Sequence, residues 1–310
     1  MTAPTLLFIG HISMDRIRNI WGERKQIGGA ALYAAMGART LSENVRVISS
    51  VGKDFGQMAP LYSSLPNSLI KRVNLPTTSF TISYDDKFRA TYLETQLGSG
   101  STIRVTDLPS NWLCGKEYIH IAPMHPVKVQ KFVKRIRKIS PKTWISLNSC
   151  LEYMKPARGR RILRELAEDV DLFIVNEQEA VALAEDHSIS SAAHRIKGRR
   201  LAITLGELGA IILEGDKIQM IPALSGITMK PKDTTGAGDT WCGALIASYA
   251  LTQDWTKSVV TACIVSALKC LDWGFNAIKE LRFNHPDELV DHVLRIKEGS
   301  KQLSLKGFIK

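Results

Sequence analysis

Cysteine is sparse in this 310-residue chain, and its five occurrences, Cys114, Cys150, Cys242, Cys263 and Cys270, follow no ligand spacing. Neither a C-x-x-C zinc motif nor the density of a disulfide scaffold is present, so reduced thiols in a cytoplasm are expected. No stretch approaches the ~20 consecutive apolar residues that span a bilayer. The first apolar run, Leu6 to Ile9, has no basic residue ahead of it and is soon followed by Asp15, so no signal peptide is expected. The seven histidines lack a metal-ligand spacing such as H-E-x-x-H. No Walker-A string occurs, which argues against a P-loop enzyme, and there is neither an internal repeat nor a low-complexity linker.

What the chain does have is charge of one sign, with a formal net charge of +11. Such a surplus fits a basic nucleic-acid-binding protein or an enzyme that handles polyphosphate anions. The densest basic stretch, Lys128 to Lys142, also carries Val129, Phe132, Val133, Ile136 and Ile139 at helical spacing, which puts its cations on a solvated helix face. The cluster Arg195, Lys197, Arg199 and Arg200 precedes the apolar run Leu201 to Thr204, where it is expected to close a helix end and line a loop. No aromatics interleave with these cations, so nucleic-acid binding ranks second.

Short aliphatic runs alternate with helical patterns: Leu6 to Ile9, Val45 to Ser49, Tyr118 to Ile121, Thr143 to Leu147, Leu172 to Val175 and Leu201 to Thr204. Runs apolar on both faces belong to a mainly parallel sheet covered by helices, an α/β fold whose ligands sit beyond the carboxyl ends of the strands. Gly10, Asn148, Asn176 and Gly206 occupy those ends. Ser79 to Tyr84 and Arg89 to Thr95 read instead as a hairpin around Asp85-Asp86-Lys87, projecting as a small β lid. Ala210 to Leu213 and Lys217 to Ile221 read as a second hairpin at the sheet edge.

The strongest chemical signal is Asp233-Thr234-Thr235-Gly236-Ala237-Gly238-Asp239-Thr240, directly before an apolar helical stretch. Glycines let the backbone turn sharply, so that the amides of Gly236, Ala237 and Gly238 converge at a helix N-terminus and form an anion hole. Asp239 beside them is placed to take a proton from an acceptor hydroxyl. The eight-residue string resembles the second signature of the PfkB, or ribokinase-like, carbohydrate kinases. That resemblance implies a ribokinase-like three-layer α/β/α fold in a single domain over 1–310, with a lid formed by about 12–27 and 78–104.

The rest of the chain follows the same family order. Gly10-His11-Ile12-Ser13-Met14-Asp15 resembles the family's first strand and its substrate-binding aspartate, so Asp15 would accept hydrogen bonds from substrate hydroxyls. Gly28-Gly29-Ala30-Ala31 resembles the di-glycine element where backbone approaches substrate, and Val51 to Gly56 continues the pattern. Asn176-Glu177-Gln178-Glu179 resembles the N-x-x-E element, implying that Asn176 and Glu179 support Mg2+ through water; the same residues also spell a capping box. Thr204-Leu205-Gly206-Glu207-Leu208-Gly209 resembles the nucleotide-binding strand and turn, so Thr204, Gly206 and Gly209 would bind the cofactor, as would Thr235 of the eight-residue string. The implied cofactors are ATP and Mg2+, with a monovalent cation, K+, near Asp233 and Thr235.

Tyr33 stands where many sugar-kinase relatives carry an asparagine, and it either stacks on a ring-shaped substrate or packs its helix into the sheet. Arg89 on the lid hairpin is either a substrate or phosphate contact or an exposed strand cation. Only Arg16 to Ile27 separate Asp15 from Gly28, so a reduced lid is expected, with a monomer or a homodimer both open. The short first segment and the tyrosine look like the inositol and nucleoside kinases of archaeal type in this family. The expectation is an ATP-dependent kinase for a small polyol, inositol-like in first place, with a nucleoside as the alternative acceptor.

Overall fold

A computed structural model of the chain describes residues 4–223 and 231–293. Thirteen strands lie in the described residues: β1 Leu6–Ile9, β2 Ser13–Asn19, β3 Gly22–Gly28, β4 Val45–Gly52, β5 Leu69–Val73, β6 Ser79–Tyr84, β7 Ala90–Gln96, β8 Tyr118–Ile121, β9 Trp144–Asn148, β10 Leu172–Asn176, β11 Arg200–Thr204, β12 Gly209–Glu214 and β13 Lys217–Pro222. Nine of them form one sheet in the order β13-β12-β11-β10-β9-β8-β1-β4-β5. From β11 through to β5 every pairing in this sheet is parallel, and β12 and β13 extend it as the antiparallel hairpin expected at its edge.

Period-two alternation of side chains divides each buried strand between two cores. Leu6 and Phe8 of β1 face one cluster with Val45 and Val47 of β4 and Ala202 of β11, while Leu7 and Ile9 face the other with Phe173 and Val175 of β10. The helices cover both faces: α1 Ala30–Arg39, α2 Met58–Ser64, α3 Pro126–Ile139, α4 Leu151–Met154, α5 Ala157–Asp169, α6 Glu177–Ala184, α7 Ile189–Arg195, α8 Ala237–Thr252 and α9 Trp255–Lys269. α1, α8 and α9 contribute to the first cluster, and α3, α5, α6 and α7 to the second. This is the three-layer α/β/α arrangement.

Strand order reverses between β1 and β8, and ligand sites in open α/β sheets lie at such a switch, beyond the carboxyl ends. α8 is apolar all round because it is enclosed all round, with every residue from Thr240 to Tyr249 buried. Gly243 allows α1 to approach it, since a Cβ there would collide with the carbonyl of Ala34.

The basic segments fold as solvated faces and paired cations. α3 buries Val129, Phe132, Val133 and Ile136, whereas Ile139 at its end is exposed, one position beyond the apolar stripe expected of it. Arg195 pairs with Asp186, Arg199 with Asp171 and Arg200 with Glu214, so three of the four clustered cations are already neutralised. Among the described residues no helix is long and apolar enough to cross a membrane.

The lid departs from expectation in size. The span from Arg16 to Ile27 carries most of β2 and β3, and together with β6 and β7 they make a four-stranded sheet in the order β3-β2-β6-β7. Asp15 therefore stands on a lid strand, not on the first core strand, which ends at Ile9. Residues 97–104 return to the body, where Ser50 Oγ donates to the Ser99 carbonyl at 2.7 Å. Ile17, Ile82 and Trp273 form the lid's own small core. β5, whose exposed Leu69 and Arg72 mask its pattern, is not expected from the sequence.

Gly243→Ala tests the α1–α8 contact: overpacking costs about 1–3 kcal/mol, so a fall in Tm of roughly 4–10 °C in differential scanning fluorimetry is expected.

Candidate active site

Asp239 lies in the first turn of α8, whose N-cap is Gly236 in the left-handed conformation at φ 71°. Only a residue without a side chain fits there, because a Cβ on Gly236 would enter the Tyr33 ring. The first N–H groups of a helix find no partner within it. Here the Ala237 N–H turns to the Thr234 carbonyl at 3.1 Å, so one of the three amides expected to form the anion hole is taken up locally. Among the described residues, the N–H groups of Gly236 and Gly238 meet no acceptor, and open space lies above Gly238. These two amides and the helix dipole are available to an anion.

Burial raises the pKa of Asp239 to about 6, against the hydrogen bond from Asn148 and the nearby charge of Lys269. Asn148, at the carboxyl end of β9, donates Nδ2 to Asp239 Oδ1 at 3.3 Å. Sequence reasoning placed Asn148 at a strand end but assigned it no task; its polar side chain at that end was the available signal. The carboxyl ends of β10 and β11 bring Asn176 beside Thr204 in register. Asn176 and Glu179 do form the capping box: the Glu179 N–H donates to Asn176 Oδ1 at 2.8 Å, and the Asn176 N–H to Glu179 Oε2 at 2.9 Å. Burial, with Asp239 as the nearby like charge, raises Glu179 to about 7. Gly206 adopts φ 57° in the turn after β11, and Gly209 opens β12.

Asp15 is 3 % exposed. Its Oδ1 accepts the Phe80 N–H at 3.3 Å, and its other oxygen lies where a Cβ of Gly28 would be. A Cβ on Gly29 would collide with the His11 carbonyl. The di-glycine element thus makes room for the aspartate and for the strand behind it. Desolvation raises Asp15 to about 7, opposed by Ser13 and the Phe80 N–H and assisted by the charge of Asp233.

For Tyr33 and Arg89, each open to two readings, the geometry favours the packing side chain and the exposed cation over a substrate contact. Tyr33 offers no stacking face, being 1 % exposed, with its ring under Gly236 and edge-on to Phe275; the tight α1–α8 contact draws it inward. Arg89 sits at the lid tip outside β7 and pairs with Asp85 at 2.8 Å, its side chain largely in solvent. The aromatic residue near the cleft is instead Tyr92 of β7, edge-on to Phe80 and 62 % exposed overall. Phe80 carries the N–H that Asp15 accepts, so the Tyr92–Phe80 pair stands beside Asp15. Strand alternation did not distinguish Tyr92, because every residue of β7 is exposed.

Asp233 organises the loop from beneath and is wholly buried. Its Oδ1 accepts the Thr235 N–H at 2.9 Å, and its Oδ2 accepts Gln26 Nε2 at 2.8 Å and the Gly274 N–H at 2.9 Å. Lys269, also wholly buried, donates Nζ to the Asp233 carbonyl at 2.7 Å and lies 3.6 Å from its Oδ2. These acceptors face N–H donors and an ammonium, and the nearby oxygens without a partner, Gln26 Oε1 and Thr235 Oγ1, are neutral, so among the described residues no free anionic ligand remains to balance a K+ ion beside Asp233 and Thr235. For Mg2+ the fit is better: among the described residues no cluster of three His, Cys, Asp or Glu forms a cage, and a half-buried Glu179 with one uncommitted oxygen suits an ion that keeps its waters.

An aspartate with a raised pKa binds a proton that the unfolded chain has already released, so stability falls as pH rises between the two pKa values. For Asp15 this window runs from 3.8 to about 7. Asp15→Asn is therefore expected to flatten the Tm–pH curve across that window and to raise Tm at pH 8 by at least about 3 °C, measured by scanning calorimetry.

Residues 4–280 match the pfkB family of carbohydrate kinases. A cytidine kinase from Thermococcus kodakarensis is 27 % identical, covering 79 % of this chain and 88 % of its own. A ribokinase from Lactococcus lactis is also 27 % identical, over 86 % of this chain and 90 % of its own. Among solved structures, a ribokinase from Giardia lamblia superimposes with a TM-score of 0.78 at 16 % identity, over 95 % of this chain and 100 % of its own. The chain belongs to the pfkB family of carbohydrate kinases, enzymes that transfer a phosphoryl group to an alcohol.

Proposed function

We propose that this kinase transfers the γ-phosphoryl group of ATP to a primary hydroxyl on the pentose of a nucleoside, with Asp239 as general base. The observation that carries the acceptor class is the Tyr92–Phe80 pair on the two lid strands: Tyr92 packs edge-on against Phe80, whose own N–H donates to Asp15. An aromatic residue on a lid strand near a buried carboxylate suits a molecule with two unlike ends. The base would stack on the Tyr92–Phe80 pair, and the sugar hydroxyls would hydrogen-bond to Asp15. The likeness to a cytidine kinase supports the same class. Stacking on Tyr33 was open to an inositol-like polyol and to a nucleoside alike, and with that ring buried under Gly236 neither draws support from it.

Phosphoryl transfer asks the protein for position and for stabilisation of spreading negative charge. The free amides of Gly236 and Gly238 would hold the transferred group at the α8 N-terminus, where the dipole adds to them. Asp239, near pKa 6, is mostly ionised at neutral pH and still basic enough to take the acceptor's proton. Asn148 keeps one of its oxygens fixed, leaving the other for the alcohol. Thr204, Gly206, Gly209 and Thr235 would line the nucleotide side. Mg2+, bound with ATP, would neutralise phosphate charge; Glu179 and Asn176 would hold its water shell, and its positive charge would reverse the raised pKa of Glu179.

Asp239→Asn is expected to lower kcat by about 100- to 10,000-fold while ATP affinity, followed by isothermal titration, stays within about twofold. In the parent enzyme kcat/KM should decline as pH falls through about 6, because the base is lost on protonation. A screen of cytidine, uridine, adenosine, inosine, ribose and myo-inositol should place a nucleoside first, by at least about tenfold in kcat/KM over ribose. Tyr92→Ala should raise the nucleoside KM and leave that for ribose unchanged. Ribose or myo-inositol as the best acceptor would overturn the nucleoside assignment.

A further inference from the structure

Lys269 is the last residue of α9, in the otherwise uncharged stretch Ser258 to Cys270, and its side chain has no exposed surface. A lysine is almost never fully buried unless it is paired, because desolvating an ammonium is costly. Here the partners are the Asp233 carbonyl at 2.7 Å, the Asp233 carboxylate at 3.6 Å and the face of the Tyr33 ring at 5.4 Å. Burial lowers the Lys269 pKa, while Asp233, Cys270 and Asp239 favour its charged form. The carboxylate that could charge-balance a diffusible ion is already occupied on both oxygens by Thr235, Gln26 and Gly274.

We propose that the Lys269 ammonium is the resident monovalent cation of this enzyme: a protein-borne positive charge beneath the anion hole, in place of a free K+ ion. From there it fixes the Asp233 carbonyl at the root of the Asp233–Asp239 loop and adds positive field below Gly236 and Asp239. Lys269 is a positioning residue; it need not touch substrate. The kinetic half of the proposal rests on the phosphoryl-transfer reading given above, whereas the cation assignment itself does not.

The test combines turnover with readouts independent of it. With chloride salts of K+, Na+ and tetramethylammonium at equal ionic strength, the parent enzyme should show the same kcat and the same Tm, and Rb+-soaked crystals should show no anomalous peak beside Asp233. Lys269→Met should lower kcat by at least about tenfold with the ATP Kd retained. Lys269→Ala opens space for an ion, so K+ or NH4+, but not tetramethylammonium, should raise its Tm and restore part of its kcat, with Rb+ beside Asp233. Activation of the parent enzyme by K+ of about tenfold or more, or a Rb+ peak there, overturns the proposal even if neither variant folds. A Lys269→Ala protein whose Tm is indifferent to K+ overturns it too. If no acceptor is phosphorylated while the Tm and Rb+ pattern holds, the cation assignment stands and the acceptor reading falls.

Discussion

The buried contact between Asp233 and Lys269 is the constraint from which the candidate site takes its shape. A wholly buried carboxylate and a wholly buried ammonium are tolerable only with their hydrogen-bonding capacity satisfied. That requirement draws together Gln26 from β3, Gly274 from the segment after α9, the Thr235 amide and the Asp233 carbonyl. Gln26, the Asp233–Thr235 turn and the Lys269–Gly274 stretch lie far apart in sequence, so the contact closes only when lid, loop and the end of α9 are all in place. Removing one partner would strand the other charge in a dry interior, which costs more than the pair itself contributes.

Above that anchor the loop achieves its conformation by steric fit. Gly236 turns through a left-handed residue directly over the Tyr33 ring, and Gly243, two turns along α8, lets the α1 backbone come close. The helix N-terminus is therefore held in place by close packing and by one hydrogen bond, from the Ala237 N–H to the Thr234 carbonyl. Two of its leading amides stay available because neighbours approach from the side and from beneath. The raised pKa values of Asp15, Glu179 and Asp239 are the electrostatic cost of such a site, since each carboxylate is desolvated and they stand near one another or near Asp233.

Much of this was legible in the chain. The aliphatic runs from Leu6 to Thr204 became core strands, because a strand buried on both faces leaves an unmistakable apolar pattern. The string from Asp233 to Thr240 announced a turn into a helix, and α8 begins at Ala237. Less legible was whatever depends on where a side chain points. Tyr33 read equally well as a stacking face or as packing, and only the α1–α8 contact decides between them. Arg89 read equally well as a ligand contact or as an exposed strand cation, and the Asp85 turn holds it at the tip. β2 and β3 were hidden because the chain from Arg16 to Lys25 is strongly polar; its strands pair with each other and with β6, and one face is solvated.

The turn between β2 and β3 has a mechanical consequence. Asn19 Nδ2 donates to the Lys232 carbonyl at 2.8 Å and Trp21 Nε1 to the Pro231 carbonyl at 2.9 Å, immediately ahead of Asp233. The lid is thus stitched to the root of the loop that carries Asp239. A displacement of the β2–β3 turn is therefore passed by two hydrogen bonds to the backbone just ahead of Asp233, the stretch that leads into α8.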